Sequence, residues 1–174
     1  MGSAERILLI GMMGSGKSTV GRLLAERLGW PYLDSDEQVE ARTGKTVPDL
    51  FAERGEPFFR AEETLALEAA TTSDGPVVVS VAGGAVLSAD NRARIRPAGL
   101  VVWLRADAAT LATRVGDGHG RPLLGDNASA ALQRLYDERR PLYEDLADVT
   151  VDVDHLSPLE VTDRVVAALE VSRA

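Results

Sequence analysis

Arg6-Ile7-Leu8-Leu9-Ile10-Gly11-Met12-Met13-Gly14-Ser15-Gly16-Lys17-Ser18-Thr19 is the stretch that decides the fold. Its first five residues form a short apolar run of the kind that buried strands carry. Gly11 to Ser18 then matches G-x-x-x-x-G-K-[ST] at every fixed position. From Thr19 to Leu28, Val20, Leu23, Leu24 and Leu28 recur at helical spacing, and Gly29 follows as a C-cap. A strand that enters a glycine-rich turn and leaves as a helix aims backbone N–H groups and a helix N-terminus at an anion. The glycines keep β-carbons out of the way, Lys17 supplies a mobile charge for the β- and γ-phosphates, and the Ser18 hydroxyl can ligate Mg²⁺. Gly14, Ser15, Gly16, Lys17, Ser18 and Thr19 are therefore the candidate nucleotide-binding set, with Thr19 as the residue that starts the helix. Binding of ATP or GTP follows.

Outward from this motif, strand and helix patterns alternate. Pro31 to Leu33 leads into Asp34-Ser35-Asp36 and reads as a second strand with acids at its C-terminal end. A mainly helical stretch covers about residues 37–70, interrupted near Gly44 and near Gly55 to Pro57. Val77 to Val81 and Leu100 to Leu104 have the continuous β-branched and apolar composition of parallel strands covered on both faces. Ala108 to Val115 reads as helix, and residues 116–127 as a polar, glycine-rich loop. Ser129 to Leu146 reads as helix with Pro141 as a point of bending or breaking. Val149 to Val153 is a last strand and Pro158 to Leu169 a last amphipathic helix. The alternation predicts an α/β domain around a parallel sheet.

The 174 residues suit one domain, and 45% hydrophobic residues suffice for a core, which excludes a disordered chain. With 19 basic against 27 acidic side chains the net charge is −8, which argues against a general nucleic-acid binder. A small anionic ligand stays open, because a pocket can be basic on an acidic protein. There is no cysteine, and His119 and His155 are the two histidines, so thiolate chemistry and a histidine-rich metal site are out of reach. The apolar run at the N-terminus is too short for a signal sequence or a membrane span, and a cytoplasmic protein is expected.

The chain contains no N-K-x-D sequence for reading guanine and no apolar run ending in Asp-Glu, so a GTPase or a motor fits poorly. What it has are polar groups near the expected C-terminal edges of strands, where open α/β sheets bind ligands. Asp34 and Asp36 stand i, i+2, and share one side if the strand continues through them. One can hold Mg²⁺ through water while the other accepts a hydrogen bond from an acceptor hydroxyl, although an acid at a strand end can also simply cap the next helix. Arg60 and Glu63 stand i, i+3 on a helix beside Phe58 and Phe59, which points to a partly buried and rigid Arg60. Gly83 and Gly84 permit close backbone approach, and Arg139 with Arg140 would suit a carboxylate acceptor.

These residues carry a family likeness. Gly11–Thr19, Leu33-Asp34-Ser35-Asp36, Phe59-Arg60 with Glu63, Gly83-Gly84-Ala85-Val86, Arg121-Pro122-Leu123-Leu124 and Arg139-Arg140-Pro141-Leu142-Tyr143 appear in the order found in bacterial shikimate kinases. The sequence resembles that family, within the nucleoside monophosphate kinase-like P-loop folds, up to about Val153. The resemblance implies a three-layer α/β/α P-loop fold whose five parallel strands run in the order 2-3-1-4-5. It implies one domain over 1–174, a shikimate-binding region at about 36–63 and a lid at about 116–127. The reaction implied is transfer of phosphate from ATP, with Mg²⁺, to the 3-hydroxyl of shikimate in aromatic amino-acid biosynthesis. By the same likeness Asp34 joins Ser18 at the metal, and Asp36 binds the acceptor hydroxyls and helps activate one of them. Arg60 and Arg139 hold the acceptor carboxylate, Glu63 orients Arg60, and Gly83 and Gly84 line the pocket. Arg121 comes from the lid to join Lys17 at the transferring phosphate, and Arg114 packs against adenine. A monomer with no nucleic-acid or membrane partner is implied.

The sequence departs from the family pattern in two places. Ala82 stands where the family has a first glycine, so a methyl would crowd any backbone that needs positive φ there. Asp154-His155-Leu156-Ser157-Pro158 lacks the arginine some relatives place against the base, and His155 and His119 are expected to face solvent. The competing readings are another small-molecule kinase, such as one for gluconate, and a catalytically weak nucleotide-binding module that regulates a partner. The first does not account for Asp34, Asp36, Arg60 and Arg139 together; the second leaves Lys17, Ser18 and Arg121 without a purpose.

Overall fold

The first strand, β1 (Arg6–Ile10), is buried along its whole length because both of its faces are covered by other elements. The computed structural model describes residues 5–116, 124 and 127–174. After β1 come α1 (Lys17–Leu28), β2 (Tyr32–Asp34), α2 (Ser35–Thr43), α3 (Val47–Thr72), β3 (Val77–Ser80), a 3₁₀ turn at Ala85–Leu87 and α4 (Ala89–Ile95). The chain continues through β4 (Leu100–Arg105), α5 (Ala108–Val115), α6 (Ala128–Leu146), β5 (Val149–Asp152) and α7 (Pro158–Arg173). The strands form one sheet in the order β2-β3-β1-β4-β5 with every pair parallel, as the family likeness implies. Among the described residues no helix is long and apolar enough to cross a membrane.

Register explains why the functional ends coincide. Leu9 pairs with Ser80, Asp34 also pairs with Ser80, and Ile10 pairs with Trp103, so the strands stop at nearly one level. The chain leaves β1 toward β2 and β3 on one side and resumes at β4 on the other. That reversal opens a crevice at the carboxyl edge, where ligands of such sheets bind.

The main core comprises the strands and the inner faces of the flanking helices, with Trp103, Tyr143, Ile7 and Leu24 fully enclosed. A smaller apolar cluster, Val39, Leu50, Phe59 and Ala66, joins α2 to α3, with the Phe51 and Phe59 rings 4.9 Å apart. That second cluster makes α2 and the first half of α3 a separate wall at one end of the crevice.

Several expectations from the sequence change in detail. The interruption near residue 55 is a kink inside α3, where Gly55 takes φ 80° and ψ 172°, a conformation open to residues without a β-carbon. Pro141, by contrast, leaves α6 continuous from Ala128 to Leu146, since packing of its buried face outweighs one missing N–H. Residues 85–95 carry structure that the strand and helix periodicities did not announce. There the Ser88 hydroxyl caps α4 by accepting from Asn91 N–H, and Asn91 Nδ2 donates to the Ala85 carbonyl at 3.0 Å. The proposed lid at 116–127, including Arg121 and His119, lies for the most part outside the described residues.

Candidate functional site

The turn between β1 and α1 is the floor of the crevice. Gly14 and Gly16 take φ 81° and 95°, which only glycine adopts at little cost, and this opens the turn into a cradle of N–H groups. Lys17 Nζ donates to the carbonyls of Gly11 at 2.8 Å and Met12 at 3.0 Å, which holds the ammonium over the loop. Ser18 and Thr19 are exposed on the first turn of α1, whereas Ser15 is buried. Gly14, Gly16, Lys17, Ser18 and Thr19 line a cleft of about 430 Å³ together with acids, arginines and glycines from the other strand ends. A second hollow of about 360 Å³ lies behind the loop, between Gly14, Ser15, Arg114, Val153, Leu156 and Val161. Arg114 Nη1 donates to the Gly14 carbonyl at 3.2 Å, so this arginine is tied to the loop and flanks an apolar slot large enough for a planar base. His155 is exposed and does not line that slot.

Asp34 and Asp36 both line the large cleft, but not on an extended strand. Asp34 is the last residue of β2 and the N-cap of α2; its Oδ1 accepts from Asp36 N–H at 3.0 Å and Glu37 N–H at 3.2 Å. The chain therefore turns into a helix one residue earlier than strand alternation requires, because Asp34 satisfies two otherwise unpaired N–H groups. Capping and a ligand-facing role coexist in one carboxylate. The other oxygen, Oδ2, accepts from the Ser18 hydroxyl at 2.9 Å and lies 3.2 Å from the Tyr32 hydroxyl. Ser18 and Asp34 thus set oxygen donors side by side next to the phosphate cradle, the chemistry that Mg²⁺ favours. Asp36 opens onto the cleft between protein walls, and that desolvation, followed by the Asp34 carboxylate, pushes its carboxyl up.

Ser35 does more than face away. Its buried hydroxyl accepts from Ala82 N–H at 2.8 Å, which pins the turn after β3 against the start of α2. Ala82 has no positive φ, so the departure from the family's first glycine imposes no backbone strain. Gly84 matters for a different reason, since a β-carbon there would displace the Arg60 guanidinium from its present position. At Gly83 a β-carbon would stand 3.2 Å from the Gly11 carbonyl and 3.3 Å from Arg139 Nη1.

The two arginines at the acceptor end differ in what satisfies them. Arg60 Nη1 donates to both carboxylate oxygens of Glu63, at 2.9 and 3.1 Å. Glu63 is 1% exposed, and burial pushes its carboxyl up to about 7 against the pull of Arg60. Arg139 is also 1% exposed, yet its Nε finds no hydrogen-bond partner and no carboxylate pairs with it among the described residues. Its neighbour Tyr143 is fully buried, keeps its proton because burial pushes it up to about 12, and donates to the Gly83 carbonyl at 2.7 Å. Arg140, placed beside Arg139 by the sequence, is exposed and paired with Glu144 at 2.9 Å; one helical residue further round α6 takes it out of the cleft. Val47, Pro48 and Phe51 from the α2–α3 wall also line the cleft, and only the tertiary packing of the second apolar cluster brings them there.

Comparison with known proteins shows the family and the fold. The family model described as shikimate kinase matches residues 13–170. A shikimate kinase of Thiobacillus denitrificans is 44% identical over 163 residues, covering 93% of this chain and 88% of the relative. Another, of Symbiobacterium thermophilum, is 44% identical over 167 residues, covering 94% and 95%. Among solved structures, a shikimate kinase from Acinetobacter baumannii in complex with shikimate superposes with a TM-score of 0.92 at 35% identity, over 97% of this chain and 94% of that one. A gluconokinase from Sinorhizobium meliloti reaches a TM-score of 0.64 at 23% identity over 98% and 94%, a likeness of fold alone.

Proposed function

This chain belongs to the shikimate kinase family, and from that premise we propose that it transfers the γ-phosphoryl group of ATP to the 3-hydroxyl of shikimate. The observation that carries the reading is Arg139: a guanidinium buried in the cleft wall whose Nε has no hydrogen-bond partner and which, among the described residues, forms no direct ion pair, the Glu63 carboxylate reaching it only through its field. Such a group is costly unless an anion completes it, and a planar carboxylate matches its fork. Arg60, which lines the same cleft beside Gly84 as Arg139 does beside Gly83, supplies a second guanidinium, so an acceptor that carries both a carboxylate and hydroxyls is drawn in with its carboxylate toward the arginines. Asp36 then faces the acceptor hydroxyls, orients one toward the phosphate cradle and is the group placed to take its proton.

At the nucleotide end, the N–H groups of Gly14 to Thr19 and the Lys17 ammonium bind phosphate oxygens and hold them against the negative charge that spreads during transfer. The slot beside Arg114 takes the base. Ser18 and Asp34 would hold Mg²⁺, the Ser18 hydroxyl directly and Asp34 through water, and the ion offsets phosphate charge when bound. Arg121 is assigned to the transferring phosphate through the family pattern alone. Transfer is a matter of alignment and charge compensation, with no covalent enzyme intermediate.

A coupled ADP-release assay comparing shikimate, quinate and gluconate tests the reading. Shikimate-dependent turnover is expected, and a preference for gluconate or ATP hydrolysis indifferent to acceptor would overturn it. Replacing Arg139 by Ala should raise the acceptor KM by ten-fold or more while the ATP KM stays within about two-fold, since a charged hydrogen bond contributes roughly 1.5–3 kcal/mol.

A further inference from the structure

Arg60 is occupied on both of its donor edges. Glu63 takes the Nη1 side with two oxygens, while a single oxygen of Glu56, Oε1, sits 3.4 Å from both Nε and Nη2. The Nε–Nη2 edge is one of the two guanidinium edges that present a parallel pair of N–H groups to a planar carboxylate, and the other, Nη1–Nη2, shares the Nη1 that Glu63 already holds. An incoming acceptor carboxylate can use that edge only if Glu56 leaves it.

The two glutamates are unequal in ways that decide which one yields. The Glu63 side chain is 1% exposed and enclosed by the cleft wall, whereas that of Glu56 is 46% exposed and makes only long contacts. Glu56 also follows Gly55 directly, at the point where α3 breaks, so it opens the second helical segment rather than sitting inside a continuous helix. A carboxylate at a helix start is stabilised by the exposed N–H groups there and keeps that support after letting go of Arg60.

We propose that Glu56 is an internal stand-in for the acceptor carboxylate: it holds the Nε–Nη2 edge of Arg60 in register and is displaced when the acceptor binds. The inference rests on Arg60 receiving the acceptor carboxylate, as in the reading above. It makes Glu56 a specificity-determining residue. Neutral hydroxylated compounds gain nothing from the exchange, whereas a carboxylate replaces a weak pair with a bidentate one on the same edge. An exposed ion pair at this distance is weak, so the competition costs the acceptor about two- to five-fold in affinity.

The test measures acceptor binding by calorimetry and acceptor KM for Glu56→Gln, Glu56→Asp and Arg60→Ala, each with shikimate and with its uncharged carboxamide, alongside ATP KM and Tm. Glu56→Gln should bind shikimate about two- to five-fold more tightly and leave carboxamide binding and ATP KM unmoved. Glu56→Asp, which keeps the charge and withdraws it from the guanidinium, should behave like Glu56→Gln. Weaker shikimate binding in Glu56→Gln would show that Glu56 supports Arg60 rather than yielding to the acceptor, and would overturn the proposal. Wild-type behaviour of Glu56→Asp would reduce the effect to a general field and overturn it equally. If Arg60→Ala leaves shikimate binding intact, the parent assignment of Arg60 fails, an outcome distinct from either Glu56 result.

Discussion

Glu63 is buried, opposed by Arg60 and pushed up to about 7, so its proton links stability to pH. Below the ordinary carboxylate range, near pH 4.5, it is protonated in both folded and unfolded chains. Between there and about pH 7 the folded protein keeps a proton that the unfolded chain has released. Stability contributed by this group is therefore full at low pH and lost as pH rises through about 7. Glu63→Gln should remove that slope, so the Tm of the variant gains on wild type from about pH 5 to about pH 7 and levels off above it; parallel Tm profiles would show that Glu63 is ionised throughout. At this scale the sequence exposed some roles and hid others. Lys17, Ser18 and Arg60 could be read from fixed spacing. The choice between Arg139 and Arg140 depends on the phase of α6 against the cleft, which neighbours in sequence do not fix. Glu56 escaped notice because its contact with Arg60 depends on where α3 restarts after Gly55.

Among the elements, α1 shows packing overriding propensity. Gly21 lies within that helix, where alanine is ordinarily favoured by about 1 kcal/mol. A β-carbon at Gly21, however, would stand 2.5 Å from Tyr32 Cε1 and 3.0 Å from Ser80 Oγ. Overpacking of this kind costs about 1–3 kcal/mol, so Gly21→Ala should lower Tm by a few degrees, whereas an ordinary helical glycine would give a rise. The same substitution pushes on the Tyr32 hydroxyl, which lies 2.9 Å from Ser80 Oγ and 3.2 Å from Asp34 Oδ2. In α4, Ser88→Ala removes the N-cap and should cost about 1 kcal/mol in denaturant unfolding. The helix α4 escapes the sequence reading, because its seven residues are too few for periodicity to declare a helix. The bounds of α5 and the breaks around Gly44 and Gly55 were legible, because caps and glycine conformations act over a few residues.

For the whole molecule, the net charge of −8 coexists with a crevice built around Lys17, Arg60, Arg114 and Arg139. Binding at that crevice should stabilise the entire domain, since ligand affinity for the folded state adds directly to its stability. At one hundred times their dissociation constants, MgATP or shikimate should each contribute about 2.7 kcal/mol and raise Tm by roughly 5–10 °C. Thermal unfolding with and without each ligand checks this, and chelation of Mg²⁺ should abolish turnover. The sequence by itself determined the phosphate cradle, the parallel α/β alternation and the residue types of both ligand ends. These follow from interactions within a turn of helix, a strand's composition or a tight loop, where neighbours in sequence are neighbours in space. Only the tertiary structure decided that Asp34 caps α2 while its other oxygen meets Ser18, and that Ser35 pins Ala82. It also decided that Arg139 is buried with its Nε unpaired while Glu56 occupies an edge of Arg60. Each of these depends on which strand ends and helix faces the sheet order brings together, and charge satisfaction across that crevice is a property of the packed molecule rather than of any one segment.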